Sequence, residues 1–334
     1  MGRWLVLGGT LFLSKAVAAT AVARGHEVVC AARGASGEAP AGAKLVVVDR
    51  NAPGALDPLR DERFDAVVDV ARMSYGWARS AVEALGANTP HWTFVSSISV
   101  YADQSTTGGG PDDELLAPRT DETTDMAAYG GVKVASENAV RDAAGDRALI
   151  VRAGLLCGQG DVSDRFGYWP NRFSRGGRAV VPDCPDQPAQ IVDVLDVADW
   201  IVRSGEEHVV GTVDATGPRS TLGAVLEEIA DAVGVPGLER VPVAPETLVA
   251  AEVQPWSGPR SLPLWLPDSL AGMTARDTSA AAAAGLRCRP VADTARAALE
   301  HERALGLGRE RRAGLTPQDE AGLLGWEGPE QLRP

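Results

Sequence analysis

Arg3-Trp-Leu-Val-Leu-Gly-Gly-Thr-Leu-Phe-Leu-Ser14 opens the chain with an apolar run, a glycine turn and the start of a helical pattern. Arg3 to Leu7 reads as a buried strand. After Gly8-Gly9-Thr10 the sequence is rich in alanine, with Leu13, Val17 and Ala21 on one face, until Arg24-Gly25 ends it. Strand, glycine turn and helix in that order form a βα unit whose backbone amides, at the helix start, are set to meet a pyrophosphate. The alternation continues. Glu27 to Ala31, Lys44 to Val48, Phe64 to Asp69, His91 to Val95 and Ala148 to Val151 read as further strands separated by helical stretches. This pattern predicts an α/β fold with a parallel, doubly wound sheet of the Rossmann kind.

The nucleotide-binding half is expected over residues 1–153 and a smaller substrate-binding region over 154–334. Later segments return to the first half, so no clean linear boundary is expected. Phe166-Gly-Tyr-Trp-Pro-Asn171 opens an aromatic segment of the second region, and a proline- and tryptophan-rich link runs from Gln254 to Pro267. At 334 residues the chain has ample core to bury. Its net charge of −13 speaks against nucleic acid or an anionic membrane as partner and for a soluble enzyme. The first strand begins at Arg3, which leaves no room before it for a signal peptide, and no apolar run approaches membrane-span length, so a cytoplasmic protein is expected. Cys30, Cys157, Cys184 and Cys288 stand apart and the four histidines are scattered, so neither a disulfide framework nor a metal site is expected. Cys30 reads as a small core hydrophobe.

The chemistry points to Tyr129-Gly-Gly-Val-Lys133, read with Ser97. A Tyr and a Lys four positions apart on a helix share one face, and a cation beside a phenol favours the phenolate. Ser97 closes an apolar strand and offers a hydroxyl to hold a substrate oxygen while a proton moves. The plain alternative is an amphipathic pair on a solvated helix. Against it, the chain carries only three lysines, Lys15, Lys44 and Lys133, amid many arginines.

These residues, with the opening glycine turn, resemble the short-chain dehydrogenase/reductase superfamily, in its extended and atypical branches that include NAD-dependent epimerases and dehydratases. The resemblance covers most of the chain, most strongly residues 4 to 137. It implies Ser97, Tyr129 and Lys133 as catalytic residues, with Lys133 also on the nicotinamide ribose. It implies a pyrophosphate at Gly8, Thr10, Leu11 and Phe12, Asp49 beside the adenine, and Ala71 bordering the nicotinamide. Arg33 follows the second strand, where an arginine accepts a 2′-phosphate, so NADP is favoured and NAD is the alternative. Arg33 also reads as a loop-surface residue, and Asp49 and Asp69 as turn formers or helix caps. The sequence departs from the family at Leu11 and Ser14, which stand where spaced glycines belong.

The activity implied is NAD(P)-dependent reduction of a small-molecule carbonyl. Tyr129 protonates the alkoxide, Lys133 lowers its pKa and Ser97 binds the oxyanion. Ser97, Ser99, Tyr168, Trp169 and Trp256 are expected on the substrate side, the aromatics reading equally as core or lid packing. Dehydratases of this kind place Asp-Glu where Ile98-Ser99 stand, and nucleotide-sugar epimerases place Asn where Leu155 stands, so both chemistries are disfavoured. Alternatives are an NAD-dependent epimerase of a sugar or related metabolite, and a redox-neutral lyase, isomerase or cyclase, motivated by Leu11 and Ser14. A cofactor-sensing or RNA-associated binding module is a further one, against which the acidic surface weighs. The Gly-rich, acidic stretch from Gln104 to Asp125 is expected to cover part of the site. Relatives often form homodimers through helices that include the Tyr129 helix; Val132, Ala135 and Ala139 read either as such an interface or as core.

Overall fold

A computed structural model describes residues 1–325; residues 326–334, the end of the expected second region, lie outside the described residues. The chain divides into two compact units. The first takes Met1–Leu156, Val192–Pro218 and Arg276–Cys288, and the second takes Cys157–Ile191, Arg219–Ala275 and the described residues from Arg289 onward.

In the first unit the elements follow in order as β1 (Arg3–Leu7), α1 (Phe12–Ala23), β2 (Glu27–Ala32), β3 (Lys44–Val47), α2 (Asp57–Arg60), β4 (Ala66–Asp69), α3 (Tyr75–Leu85), β5 (His91–Ser97), α4 (Tyr129–Ala144) and β6 (Ala148–Ala153). A helix, Val194–Glu206, a last strand, Gly211–Ala215, and a short helix, Ser279–Ala283, complete it. The seven strands form one sheet in the order Gly211–Ala215, β6, β5, β4, β1, β2, β3, with every pairing parallel. Strands of such a sheet are covered on both faces, so they read as nearly unbroken apolar runs. One core packs Trp4, Val6, Val28 and Val68 against α1 and Val194–Glu206; the other packs Leu5, Leu7, Val67 and Phe94 against α3 and α4. Leu7 pairs with Ala31 on one side and Asp69 on the other. The direction of strand addition therefore reverses at the carboxyl end of β1, where open α/β sheets form their crevice.

Two glycines let α4 start close to its neighbours. A Cβ at Gly130 would lie 2.2 Å from the Ser99 carbonyl oxygen, and one at Gly131 would lie 2.8 Å from that of Ala117. Val132 and Ala135 are 1% and 3% exposed, so the chain's own packing uses both.

The second unit pairs a strand, Arg178–Pro182, in parallel with Glu239–Val243. Helices Arg165–Phe173, Leu222–Val233 and Val291–Leu305 pack together beside it. Among the described residues no helix is long and apolar enough to cross a membrane, and no group of three or more His, Cys, Asp or Glu is placed to hold a metal ion. All four cysteines are free.

Candidate active site

Between β1 and α1 the backbone does what only glycine does without strain. Gly8 and Gly9 have φ of +130° and +91°, and a Cβ at Gly9 would lie 2.3 Å from the Cys30 Sγ. Leu11 is extended, at φ −144° and ψ 137°, so its backbone does not require a glycine; its side chain is 40% exposed. Phe12 takes the left-handed conformation, φ +42°, at the first helical position. Ser14 is buried against Gly8, and its hydroxyl donates to the Leu11 carbonyl at 2.7 Å. Serine thus preserves the close helix–strand approach while its own hydrogen bond is satisfied. No side chain caps the start of α1, so its first-turn amides remain available to an anion.

This turn borders a cavity of about 160 Å³ lined by Gly8, Thr10, Leu11, Arg33, Arg50 and Ala71, together with Ser14 and Trp77. Four of the residues expected around the cofactor's phosphates and adenosine, and Ala71, thus share one hollow. Arg33 is exposed and has no ion-pair partner among the described residues. Phe12 packs on the core and Asp49 accepts a bond from the Asn51 amide at 3.1 Å, which makes it a turn former; neither lines the cavity.

Arg50 escaped the sequence reading. Its Nη1 and Nη2 donate to the two Asp69 carboxylate oxygens at 2.8 and 3.0 Å, Nη2 also donates to the Trp77 carbonyl at 2.5 Å, and the guanidinium lies 5.4 Å from the Trp77 ring centre. Asp69 is fully buried and accepts from the Ala71 amide at 2.9 Å. A carboxylate ending a buried strand demands a cation; that demand is the signal that could have found Arg50, one residue past Asp49. Arg50 and Trp77 also wall a wider hollow of about 580 Å³ between the 50–60 segment and α3.

The catalytic candidates stand at the same edge of the sheet. Ser97 ends β5, its Oγ accepting from the Ser99 amide and donating to the Ser99 hydroxyl, both at 3.1 Å. Tyr129, half-buried, begins α4, and the next residue touches the Ser99 carbonyl. Lys133 follows one turn later and is 3% exposed. Its Nζ donates to the Ala71 carbonyl at 2.5 Å and the Val95 carbonyl at 2.7 Å, and lies 4.8 Å from the Phe94 ring centre and 5.9 Å from that of Tyr129. Burial pushes its pKa down to about 8, against the pull of the Asp69 and Glu137 charges.

Behind Ser97 lies a buried charge network that the sequence did not announce. Arg152 forks onto Glu137 at 3.0 and 2.8 Å and donates to the Tyr101 hydroxyl at 2.9 Å and the Pro111 carbonyl at 2.8 Å. Ser96 donates to Glu137 at 2.5 Å, and Tyr101 to Asp214 at 2.5 Å. Arg276 binds Asp214 at 3.0 Å, Asp113 at 3.1 Å and the Gly110 carbonyl at 2.6 Å, with its guanidinium 3.5 Å above the Tyr101 ring centre. Burial alone would raise Glu137, but Arg152 and Ser96 outweigh it and hold the carboxyl below its usual range. Burial, together with the Asp214 charge, raises Tyr101 well above an ordinary phenol. The stretch from Gly110 to Asp113 is therefore tied down by buried cations.

In the second unit the structure corrects one expectation. Tyr168 and Trp169 are 1% and 0% exposed, stack edge-on at 5.0 Å, and Trp169 donates to the Pro263 carbonyl at 2.9 Å. Both are interior residues, with no surface to offer a substrate. Trp256 is half-buried, in a left-handed conformation, under the Arg165 guanidinium at 4.9 Å.

The fold is shared with solved structures of low sequence identity. The Bordetella bronchiseptica enzyme WbmH in complex with NAD+ is 16% identical, with a TM-score of 0.64 over 92% of this chain and 100% of that one. UDP-N-acetylglucosamine 4-epimerase from Methanobrevibacter ruminantium, in complex with UDP-N-acetylmuramic acid, is 14% identical, with a TM-score of 0.67 over 91% and 99%. UDP-glucuronic acid 4-epimerase from Bacillus cereus, in complex with NAD, is 14% identical, with a TM-score of 0.63 over 91% and 99%. Comparison with curated proteins by sequence gave no match. The model of one family matches residues 4–213, most of the chain, and on that match the protein belongs to the NAD dependent epimerase/dehydratase family.

Proposed function

We propose that the protein is a nicotinamide-dependent oxidoreductase that reduces a carbonyl group of a small molecule, with NADPH as its preferred donor. The observation that carries this reading is the convergence of Ser97, Tyr129 and the buried Lys133 at the sheet edge, with the Ala71 carbonyl joining Lys133 to the wall of the glycine-turn cavity. The residues present fit a dinucleotide: the uncapped start of α1 after the left-handed Gly8 and Gly9 leaves first-turn backbone amides clear for phosphates, the Gly8 amide itself donating to the Ala31 carbonyl at 2.9 Å. When bound, the nicotinamide supplies the hydride. Tyr129 gives its proton to the forming alkoxide, Lys133 holds positive charge behind it, and Ser97 donates a hydrogen bond to the developing oxyanion. Arg33, exposed at the cavity rim, favours a 2′-phosphate over a bare ribose hydroxyl. Ser99 is proposed on the substrate side.

A second reading, redox-neutral epimerisation with NAD, is favoured by the family and by the NAD bound in two of the neighbours. Leu155 weighs against a nucleotide-sugar substrate. Titrating the purified protein with NADPH and NADH, followed by nicotinamide fluorescence, tests the cofactor. NADPH is expected to bind more tightly, and Arg33→Ala to remove that advantage; no binding of either at millimolar concentration would overturn the reading. With a carbonyl substrate, NADPH consumption equal to product marks a reductase, whereas turnover without net consumption marks an epimerase. Tyr129→Phe should lower turnover by about 10²- to 10⁴-fold.

A further inference from the structure

We propose that Arg50 is a positioning residue for Lys133, linking the wall of the nucleotide cavity to the lysine through Asp69 and the backbone of Ala71. This rests on the reading of Lys133 as a working residue of the site.

The link is a short chain of bonds. Arg50 grips both oxygens of Asp69; one of those oxygens also accepts the Ala71 amide, and the Ala71 carbonyl accepts the Lys133 ammonium. Only Val70 stands between the residue whose carboxylate holds the guanidinium and the residue whose carbonyl holds the ammonium. Every joint is tight. The Arg50 side chain is 7% exposed, the Asp69 side chain 0% and Lys133 3%, so each bond works where water does not compete.

Arg50 is held for this grip at some cost to its own bonding. Its Nε is buried without a hydrogen-bond partner while Nη1 and Nη2 serve Asp69 and the Trp77 carbonyl. The same side chain walls the cavity that also holds Arg33, Leu11 and Ala71. A ligand that displaces Trp77 therefore alters the grip on Asp69, and through it the seat of Lys133.

The charges around the ammonium give the link a sign. Asp69 from β4 and Glu137 from α4 favour the protonated lysine, while Arg72 after β4 and Arg50 after β3 oppose it. The Phe94 ring of β5 and the Tyr129 ring of α4 complete the surroundings. Removing Arg50 takes away an opposing charge and leaves Asp69 unshared, so Lys133 should hold its proton more firmly. Removing the Asp69 charge should do the reverse.

The chain's three lysines make the test direct. Protein labelled at lysine Nζ and Cε gives three side-chain signals by nuclear magnetic resonance, and Lys133→Arg identifies the one from Lys133. Arg50→Gln is expected to move its titration midpoint up by about one pH unit and Asp69→Asn to move it down by about as much, the size of effect a nearby buried charge has. Arg50→Lys, which keeps the charge, loses the two-pronged grip and adds a fourth lysine signal that Lys133→Arg in the same background tells apart, should fall between wild type and Arg50→Gln and serves if the latter fails to fold. Midpoints unchanged in these variants, or moving in one direction in both, would overturn the proposal. NADPH added to the wild type should shift the Lys133 signal, and Arg50→Lys should reduce that shift. Lack of any NADPH response with the two opposed midpoint shifts intact ends the cofactor reading and leaves the link standing; absence of the midpoint shifts ends the link whatever NADPH does.

Discussion

Two glycines with similar backbone angles separate strain from crowding at the residue scale. Gly9 and Gly25 have φ of +91° and +87°, but an added Cβ meets the Cys30 Sγ at 2.3 Å in the first case and nothing within 4 Å in the second. Gly25→Ala should cost about 1–2 kcal/mol, the price of a left-handed alanine, whereas Gly9→Ala adds overpacking and should cost at least about 1 kcal/mol more. Urea denaturation of both variants measures the difference. Leu11 calls for the opposite experiment. Its backbone is extended and its side chain stands in the cavity lining, so Leu11→Gly should leave stability nearly unchanged and tighten NADPH binding several-fold by clearing the approach to the phosphates. Weaker binding in that variant would mean that the leucine is a ligand contact instead of an obstacle. The Tyr129–Lys133 pair was legible in sequence because residues four apart on a helix share one face, whereas Ser97, on a separate strand, entered through the family resemblance. Arg50 was not legible, because its partner Asp69 lies 19 positions away and nothing local marks the pair.

At the scale of elements, α4 and the stretch that crosses its start behave as one fastened piece. Arg152 joins α4, through Glu137, to Tyr101 and Pro111, and Arg276 fastens Gly110 and Asp113 from the other side. Arg152→Met would leave Glu137 buried with Arg141 and Ser96 as its remaining partners, and should destabilise the protein by about 3–5 kcal/mol in urea denaturation. The far end of the same stretch is held more lightly. Glu122, exposed, accepts from the Ser74 hydroxyl at 3.0 Å and the Gly76 amide at 3.2 Å at the start of α3. Its replacement by alanine should cost less than about 1 kcal/mol and hasten amide exchange locally at Gly76. The βα alternation could be read from sequence because doubly covered strands are continuous apolar runs. The fastening could not: Arg276 and Gly110 are 166 positions apart, and a contact at that separation leaves no periodicity. For the same reason Tyr168 and Trp169 read equally as ligand wall and as core packing, and in the structure both are interior; an aromatic pair has the same letters in a core and in a pocket.

For the whole molecule, the buried lysine sets a pH signature. The pKa of Lys133 falls from 10.5 to about 8 on folding, so between those values the unfolded chain holds the extra proton and stability rises with pH. Below pH 8 the charged ammonium costs on the order of 3 kcal/mol. Lys133→Met should therefore gain most over the wild type near pH 7, and that advantage should shrink steadily toward pH 10; a difference independent of pH would mean that burial does not perturb the lysine. On the acid side Glu137 acts in the opposite sense. Its folded-state pKa lies below the ordinary carboxylate value, so its contribution is present above that value and fades as pH falls through the depressed one. The first unit is also discontinuous in the chain. It is assembled from Met1–Leu156, Val192–Pro218 and Arg276–Cys288, and Arg276 supplies the guanidinium that Tyr101 and Asp214 share. A chimera that transfers only residues 1–218 would import the buried Asp214 carboxylate without the Arg276 guanidinium, so this unit can be moved intact only when its three pieces of chain move together.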